Sequence, residues 1–530
     1  MKDSKLLKLL PSKNYFVFFL LIYLFLGFFL SLKIGISHDE MHEQQNWIYN
    51  TKLVENFLNE KKIDSNYTDK YYGIGFQIIS QPLQYLISKI STNFLDVDAS
   101  GLKLVSKHPV VFIFFFISGI FFFKILVKIT ENNNFSYLGT FLYLLYPYLF
   151  GHGLFNPKDI PFLSIWLICT FLSCNILDFY IKKNKISFFS LFVLSTLTAF
   201  LLSVRISGIL IFIQYFISFF ICFNNTKFNF NLSKAILPKI LFFIGNTFFF
   251  TIVFYPVFWT NPFEIINAIK FMGKFYHDVC TLTLGKCVPA QNIDALYMPI
   301  WFFFKLPIII LLGIFLIPFV EKKIFINNTN NLFFGTILTS SILIPLLLII
   351  NKTPLYDEVR HVLFLVPMFF LLGLTTLYYF SKKISILLTI FFLFFFTFEN
   401  IKIFPYQYNW FNLSARFLDI SKNFELEYMG ISGKELAQKV KEKNKENYKQ
   451  ICVVVSPVYS VKPFLNEKYF DCFYNWTAID GNTIRPFWAI QTVRNLKKSI
   501  PYKCNVIEKE TINLTFYKKT LVAGNLLECK

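Results

Sequence analysis

Arginine is nearly missing from this chain: only five of its 52 basic residues are arginine, the rest lysine. The lysines are spread between apolar runs rather than gathered into a basic domain with interleaved stacking aromatics. The formal charge of +20 therefore does not point to nucleic acid. The connections carry neither a glycine-rich phosphate loop nor the glycine fingerprint of a dinucleotide fold. His38 and His42 flank two acids, but their spacing is not the H-E-x-x-H zinc pattern. No internal repeat is apparent. The first apolar run is too long for a removed signal peptide and lacks a small-residue cleavage site.

What the chain has in abundance is apolar surface. At 55% hydrophobic and 20% aromatic residues, with 71 phenylalanines, it is too apolar for a soluble globule. The joint excess of Phe, Ile, Asn and Lys reads as AT-rich codon bias, so a single Phe or Lys carries little weight. Each arginine carries more.

Apolar stretches near 14–34, 108–128, 135–150, 161–181, 187–203, 207–223, 235–258, 299–320, 331–350, 361–380 and 384–399 predict about 11 transmembrane helices. The division within 187–223 is the least defined of these boundaries. Lys2, Lys5, Lys8 and Lys13, then Lys124 and Lys128, Lys182, Lys183 and Lys185, Lys227 and Lys234, Lys322 and Lys323, and Lys382 and Lys383 fall in alternate connections. The positive-inside rule makes those connections cytoplasmic. The connections holding Ser37 to Glu40, Asn156 to Asp159, Ser203 to Ser207, Trp259 to Met298 and Asn351 to His361 are then extracytoplasmic, and so is the tail.

Two regions follow: a membrane domain over 1–400, with a first extracytoplasmic loop at about 35–107, and a C-terminal domain over 401–530. In the loop, Tyr71 to Ile90 reads as interfacial helix with Pro82 in its middle. In the tail, Ser432 and Glu435 form a capping-box pair before the amphipathic stretch Leu436 to Val440, and Ile451 to Val455 reads as a buried strand. The expectation is a small mixed α/β domain. Cys169, Cys174 and Cys222 fall inside spans, whereas Cys280, Cys287, Cys452, Cys472, Cys504 and Cys529 fall outside, where disulfides can form. Cys280 with Cys287 is the simplest pairing.

Two acidic motifs share the extracytoplasmic face, Ser37-His38-Asp39-Glu40 and Asn156-Pro157-Lys158-Asp159. Asp39 stands at the water boundary, where a carboxylate can take a proton from a hydroxyl or amine nucleophile. Taken alone it also reads as a solvated juxtamembrane acid. Glu40 is placed to support it, by orienting an acceptor or helping to hold a cation. Prolines and glycines from Gly151 to Pro161 give a defined turn before a helix start, where the dipole favours Asp159. Arg205 lies between two apolar runs, and Arg360 adjoins His361 at the outer start of the tenth. A guanidinium stays charged and binds phosphate through two parallel hydrogen bonds, so either arginine can hold a lipid phosphate. Snorkelling, or pairing with Asp357 or Glu358, is the competing role of Arg360.

Asp39-Glu40 after the first span, Phe155-Asn156-Pro157-Lys158-Asp159-Ile160-Pro161-Phe162, Arg205-Ile206-Ser207-Gly208, Tyr255 to Pro262 and Tyr356-Asp357-Glu358-Val359-Arg360-His361 together resemble bacterial GT-C glycosyltransferases. That is the broad group containing protein O-mannosyltransferases and the aminoarabinose transferase acting on lipid A. Tyr408 to Asn412 and Glu427 to Ser432 resemble the start of the tail in such proteins; Glu427 and Met429 depart from the more usual Asp-Tyr-Trp-Gly.

The resemblance implies a GT-C-like fold and an inverting transfer of sugar from a polyprenyl-phosphate donor to a lipid, glycan or protein acceptor. The setting it implies is the outer face of a bacterial inner membrane, in contact with membrane lipids. It places Asp39 as general base, with Glu40 and Asp159 in the catalytic set. Arg360 is the first candidate for the donor phosphate, Arg205 and Lys158 are further candidates, and His38 and His361 stand nearby. A divalent cation is the candidate cofactor, and metal dependence is left open. The alternatives are a lipid-linked glycan ligase without a catalytic acid and a transporter or flippase. The latter predicts ionisable residues in the middle of spans, whereas here nearly all sit at the edges.

Overall fold

The computed structural model describes residues 13–61, 67, 69–92, 94–225, 230–275, 278–444, 450–453, 458–465, 486–492 and 503–530. Cys472, Val454, Val455 and the first lysines of the chain lie outside the described residues.

Every apolar run named above forms helix. Among the described residues, eight helices of 19 to 32 residues are long and apolar enough to cross a membrane, and a bent pair makes up to nine. The expected count of eleven is thus not reached by length alone. Its shortfall has three local causes. Tyr146 and Pro147 split the third run into Asn133–Leu145 and Pro147–Gly153. Phe188–Val204 stops at 17 residues. Tyr297–Lys305 and Ile308–Phe315 meet at 119° around Pro307, which lacks an N–H and cannot continue the first helix. The division within 187–223 is real: Phe188–Val204 ends at Arg205, and a 3-10 turn leads into Ile211–Asn225.

Apolar side chains divide between core and periphery as they must in a bilayer, where hydrocarbon replaces water around the bundle. On Lys13–Ser31, Phe16, Leu20 and Tyr23 are buried while Phe18, Leu21, Phe25 and Phe29 stay exposed. Gly75–Ser91 contains Pro82 and exposes Ile78, Ile79, Leu83, Leu86 and Ile90 along one side, as an interfacial helix does.

The tail begins against the bundle: Tyr408, Trp410, Phe424 and Tyr428 are buried in the same apolar core as the spans. Beyond it, Gly433–Lys443 packs on a four-stranded sheet. Numbering strands along the chain, β1 (Cys280–Thr283) and β2 (Lys286–Pro289) form a separate hairpin. The tail sheet contains β3 (Gln450–Val453), β4 (Phe487–Thr492), β5 (Cys504–Ile512) and β6 (Leu521–Cys529) in the order β3-β4-β6-β5. Among the described residues β3 pairs parallel with β4, and the other neighbours pair antiparallel. The Ser432–Glu435 capping box does not form at this helix. Ser432 N–H instead donates to the Glu427 carboxylate at 2.7 Å. Disulfides join Cys280 to Cys287 and Cys504 to Cys529.

Candidate functional site

The helix His38–Leu58 starts where the first span ends, and its cap decides which acid faces inward. Ser37 and Glu40 make a capping box, with Ser37 N–H donating to Glu40 at 2.7 Å. The other Glu40 oxygen lies 2.8 Å from His108 Nε2, whose Nδ1 is 3.0 Å from the Ser31 carbonyl. Glu40 is thus fully buried as a strut between the helix start and the second span. It does not line the cavity beside Asp39. His38 is exposed at the helix start and is not among the cavity residues either.

Asp39 and Glu43, one helical turn apart, do face that cavity, which holds about 160 Å³. Arg360 and Lys158 reach them from two other connections, and Arg205 lines the same cavity from a third. Arg360 hydrogen-bonds the Asp39 carboxylate and reaches Asp357 at 3.3 Å. Lys158 pairs with Glu43 at 2.5 Å, over the ring of Tyr72 at 4.2 Å. Arg205 pairs with Asp159 at 2.5 Å. His42, Tyr72, Phe275, Tyr356 and His361 complete the polar and aromatic wall.

Local sequence explains each placement. Asn156 Oδ1 accepts from the backbone N–H groups of Lys158 and Asp159, a turn that points both side chains to the same end of the bundle. Asn156 Nδ2 also donates to Asp159 at 2.9 Å. Tyr72 is set by the close approach of Gly73 to the end of the Phe188–Val204 helix, where an added Cβ would fall 2.1 Å from the Ser203 carbonyl oxygen. Asp357 and Glu358 both adopt left-handed backbone, at φ 54° and 67°. That kink turns Asp357 and Arg360 toward each other and sends Glu358 into the bundle, 2.8 Å from Lys305.

Behind the cavity runs a buried polar chain. Asn156 Nδ2 is 3.0 Å from His152 Nδ1, and His152 Nε2 is 3.2 Å from the Tyr428 hydroxyl, which lies 3.5 Å from Glu358. An amide NH₂ can only donate, so Nδ1 accepts and Nε2 carries the ring proton. Burial pushes the Glu358 carboxyl up to about 7 against the opposing pull of Lys305. At Asp39 burial also acts upward, but Arg360, His38 and Lys158 outweigh it and hold the carboxyl well below the usual carboxylate range.

Of the residues singled out in the sequence, Asp39, Lys158, Arg205, Arg360 and His361 line one cavity, with Asp159 behind Arg205. Glu43, Tyr72 and the Lys305–Glu358 pair were not singled out. Glu43 had a signal, since it follows Asp39 by four positions on a helix opened by Ser37-x-x-Glu40. Among the described residues, no three His, Cys, Asp or Glu side chains gather as a metal cluster.

Fold and site together define a multi-pass helical membrane protein with a charged cavity at one end of its bundle and a small sheet domain beyond it. No family model and no curated protein matches the chain. Among solved structures it is similar to ArnT from Cupriavidus metallidurans in the apo state, at 11% identity and a TM-score of 0.48. It is also similar to the same protein bound to undecaprenyl phosphate, at 10% identity and a TM-score of 0.46. Each alignment covers 98% of both chains.

Proposed function

We propose that this protein is an inverting glycosyltransferase that moves a sugar from a polyprenyl-phosphate donor to a lipid, glycan or protein acceptor at the extracytoplasmic membrane face. One observation carries the reading: an acid at the water boundary, Asp39, and a guanidinium, Arg360, stand in hydrogen-bond contact inside a cavity at the end of a membrane bundle. A proton acceptor and a phosphate anchor are the two parts such a transfer needs side by side. Asp39 takes the proton as the acceptor oxygen or nitrogen attacks the anomeric carbon. The bond from that carbon to the phosphate oxygen breaks, and its electron pair leaves with the lipid phosphate, whose charge Arg360 stabilises. Lys158 and Arg205 stand by as further anchors, and Glu43 and Asp159 fix their position.

The lysines support an assignment of compartment. Lys128 and Lys182 meet Asp178 at the end of the bundle opposite the cavity, which supports a cytoplasmic assignment for that end and an extracytoplasmic one for the cavity and residues 401–530. A bacterial inner membrane fits this arrangement.

Mass spectrometry of lipid A, surface glycans and glycoproteins in cells with and without the gene tests the function. Loss of one sugar from one of these classes, restored by the wild-type gene, is expected. Identical profiles in all three would overturn it.

A further inference from the structure

Besides Asp357, which backs Arg360, three carboxylates meet the cavity's cations, and they are held in different ways. Glu43 is 4% exposed, pairs with Lys158 and lies 3.3 Å from Gln77 Nε2. Asp159 is 1% exposed and is fixed by Asn156 as well as Arg205. Asp39 is 19% exposed, borders the cavity, and has Arg360 as its hydrogen-bond partner. A ligand arriving through the cavity therefore meets one ion pair that it can open, and two that are locked from behind.

Arg360 is built to survive the opening. One edge of its fork holds Asp39, the other reaches Asp357, and the Tyr356 ring lies 5.1 Å from the guanidinium carbon. Losing Asp39 leaves the arginine anchored and one edge free for an oxygen anion. A phosphodiester carries one negative charge, as the Asp39 carboxylate does, so replacing one by the other on the guanidinium leaves the charge of the pair unchanged.

We propose that the Asp39–Arg360 pair is an exchangeable clasp, in which the donor phosphodiester displaces Asp39 from Arg360 and thereby frees the carboxylate to act as base. The clasp rests on the reading above that Arg360 anchors the donor phosphate, and it adds an order of events. In the empty site the guanidinium occupies the carboxylate and keeps its proton affinity low. Only a loaded donor releases it. Base strength and donor occupancy are coupled through one arginine, and no conformational change larger than a side-chain rotation is required.

The consequence runs against the usual effect of removing a catalytic acid: taking away Asp39 removes a competitor for Arg360 and tightens lipid-phosphate binding while abolishing turnover. The probe is the methyl ester of farnesyl phosphate, a singly charged phosphodiester, titrated calorimetrically into full-length protein in nanodiscs. Asp39→Asn and Asp39→Ala are expected to bind it several-fold to about tenfold more tightly than wild type. Asp39→Glu, which keeps the competing charge, is expected to bind no tighter, and Arg360→Ala at least about tenfold more weakly. Monodisperse elution and an unfolding profile accompany each variant, so that either neutral substitution decides if the other fails to fold. If both neutral variants bind no tighter while Arg360→Ala binds weakly, the clasp is wrong and the phosphate site stands. If Arg360→Ala binds as wild type does, the phosphate reading falls and the clasp with it.

Discussion

Both ends of the bundle pair acids with cations, but in different settings. At one end Asp178 gathers Lys128 at 3.3 Å, Lys182 at 3.0 Å and the Thr329 hydroxyl at 2.6 Å. Its lysines are 34% and 54% exposed. At the other, Asp39, Glu43 and Asp159 meet Arg360, Lys158 and Arg205, whose exposures are 5%, 6% and 13%, around a cavity. An exposed ammonium costs little to keep in water and contributes little when paired. A buried guanidinium held beside a cavity has lost most of its water, so its field is strong and a ligand can claim it. Ion pairs alone do not mark a site. Desolvated pairs opening on a ligand-sized space do.

The sharpest way to break this contrast is to neutralise one acid at each end. Asp39→Asn is expected to lower sugar transfer by about two or more orders of magnitude in folded, membrane-inserted protein, the contribution of a positioned base. A glycan ligase relying on cations alone would keep its rate. Second in size, Arg360→Ala is expected to raise the apparent Michaelis constant for polyprenyl-phosphate sugar about tenfold or more, with partial rescue by Arg360→Lys, which keeps the charge and loses the fork. Unchanged donor dependence in both would move the anchor to Arg205 or Lys158. Third, Glu40→Gln is expected to cost about 1–3 kcal/mol of stability, seen as a lower unfolding temperature, because it weakens the buried contact with His108. Turnover per folded molecule should change far less than in Asp39→Asn. Smallest of all in its effect on transfer, Asp178→Asn should leave the rate intact, its cost confined to stability because the carboxylate is buried and accepts from Thr329.

Much of this arrangement was legible because charge at the edge of an apolar run is constrained by the bilayer. The alternation of lysines predicts that Asp39, Lys158, Arg205 and Arg360 share one end, and their side chains meet there. In the sequence Glu40 presents itself as support for Asp39, orienting an acceptor or helping to hold a cation. Its partner, His108, is 68 residues away and brought close by packing of the first two spans. The Ser37–Glu40 spacing itself signals a cap, and that local chemistry accounts for the burial of Glu40. The Lys305–Glu358 contact lies beside the bend at Pro307 and the left-handed turn at Asp357, two backbone features that a hydropathy profile averages away. The amphipathic stretch Leu436 to Val440 announces the tail's helix at Gly433–Lys443, but nothing in the sequence marks Glu427 as the residue that holds its start.

The most direct test of the whole account is donor consumption by the wild-type protein. Purified protein in nanodiscs is mixed with the polyprenyl-phosphate sugars and envelope acceptors extracted from its own cells, and lipid species are followed by mass spectrometry. The account predicts that one sugar-bearing lipid phosphate is converted to free polyprenyl phosphate while an equal mass of sugar appears on an acceptor. Intact donor lipids under conditions where the protein stays folded would contradict it.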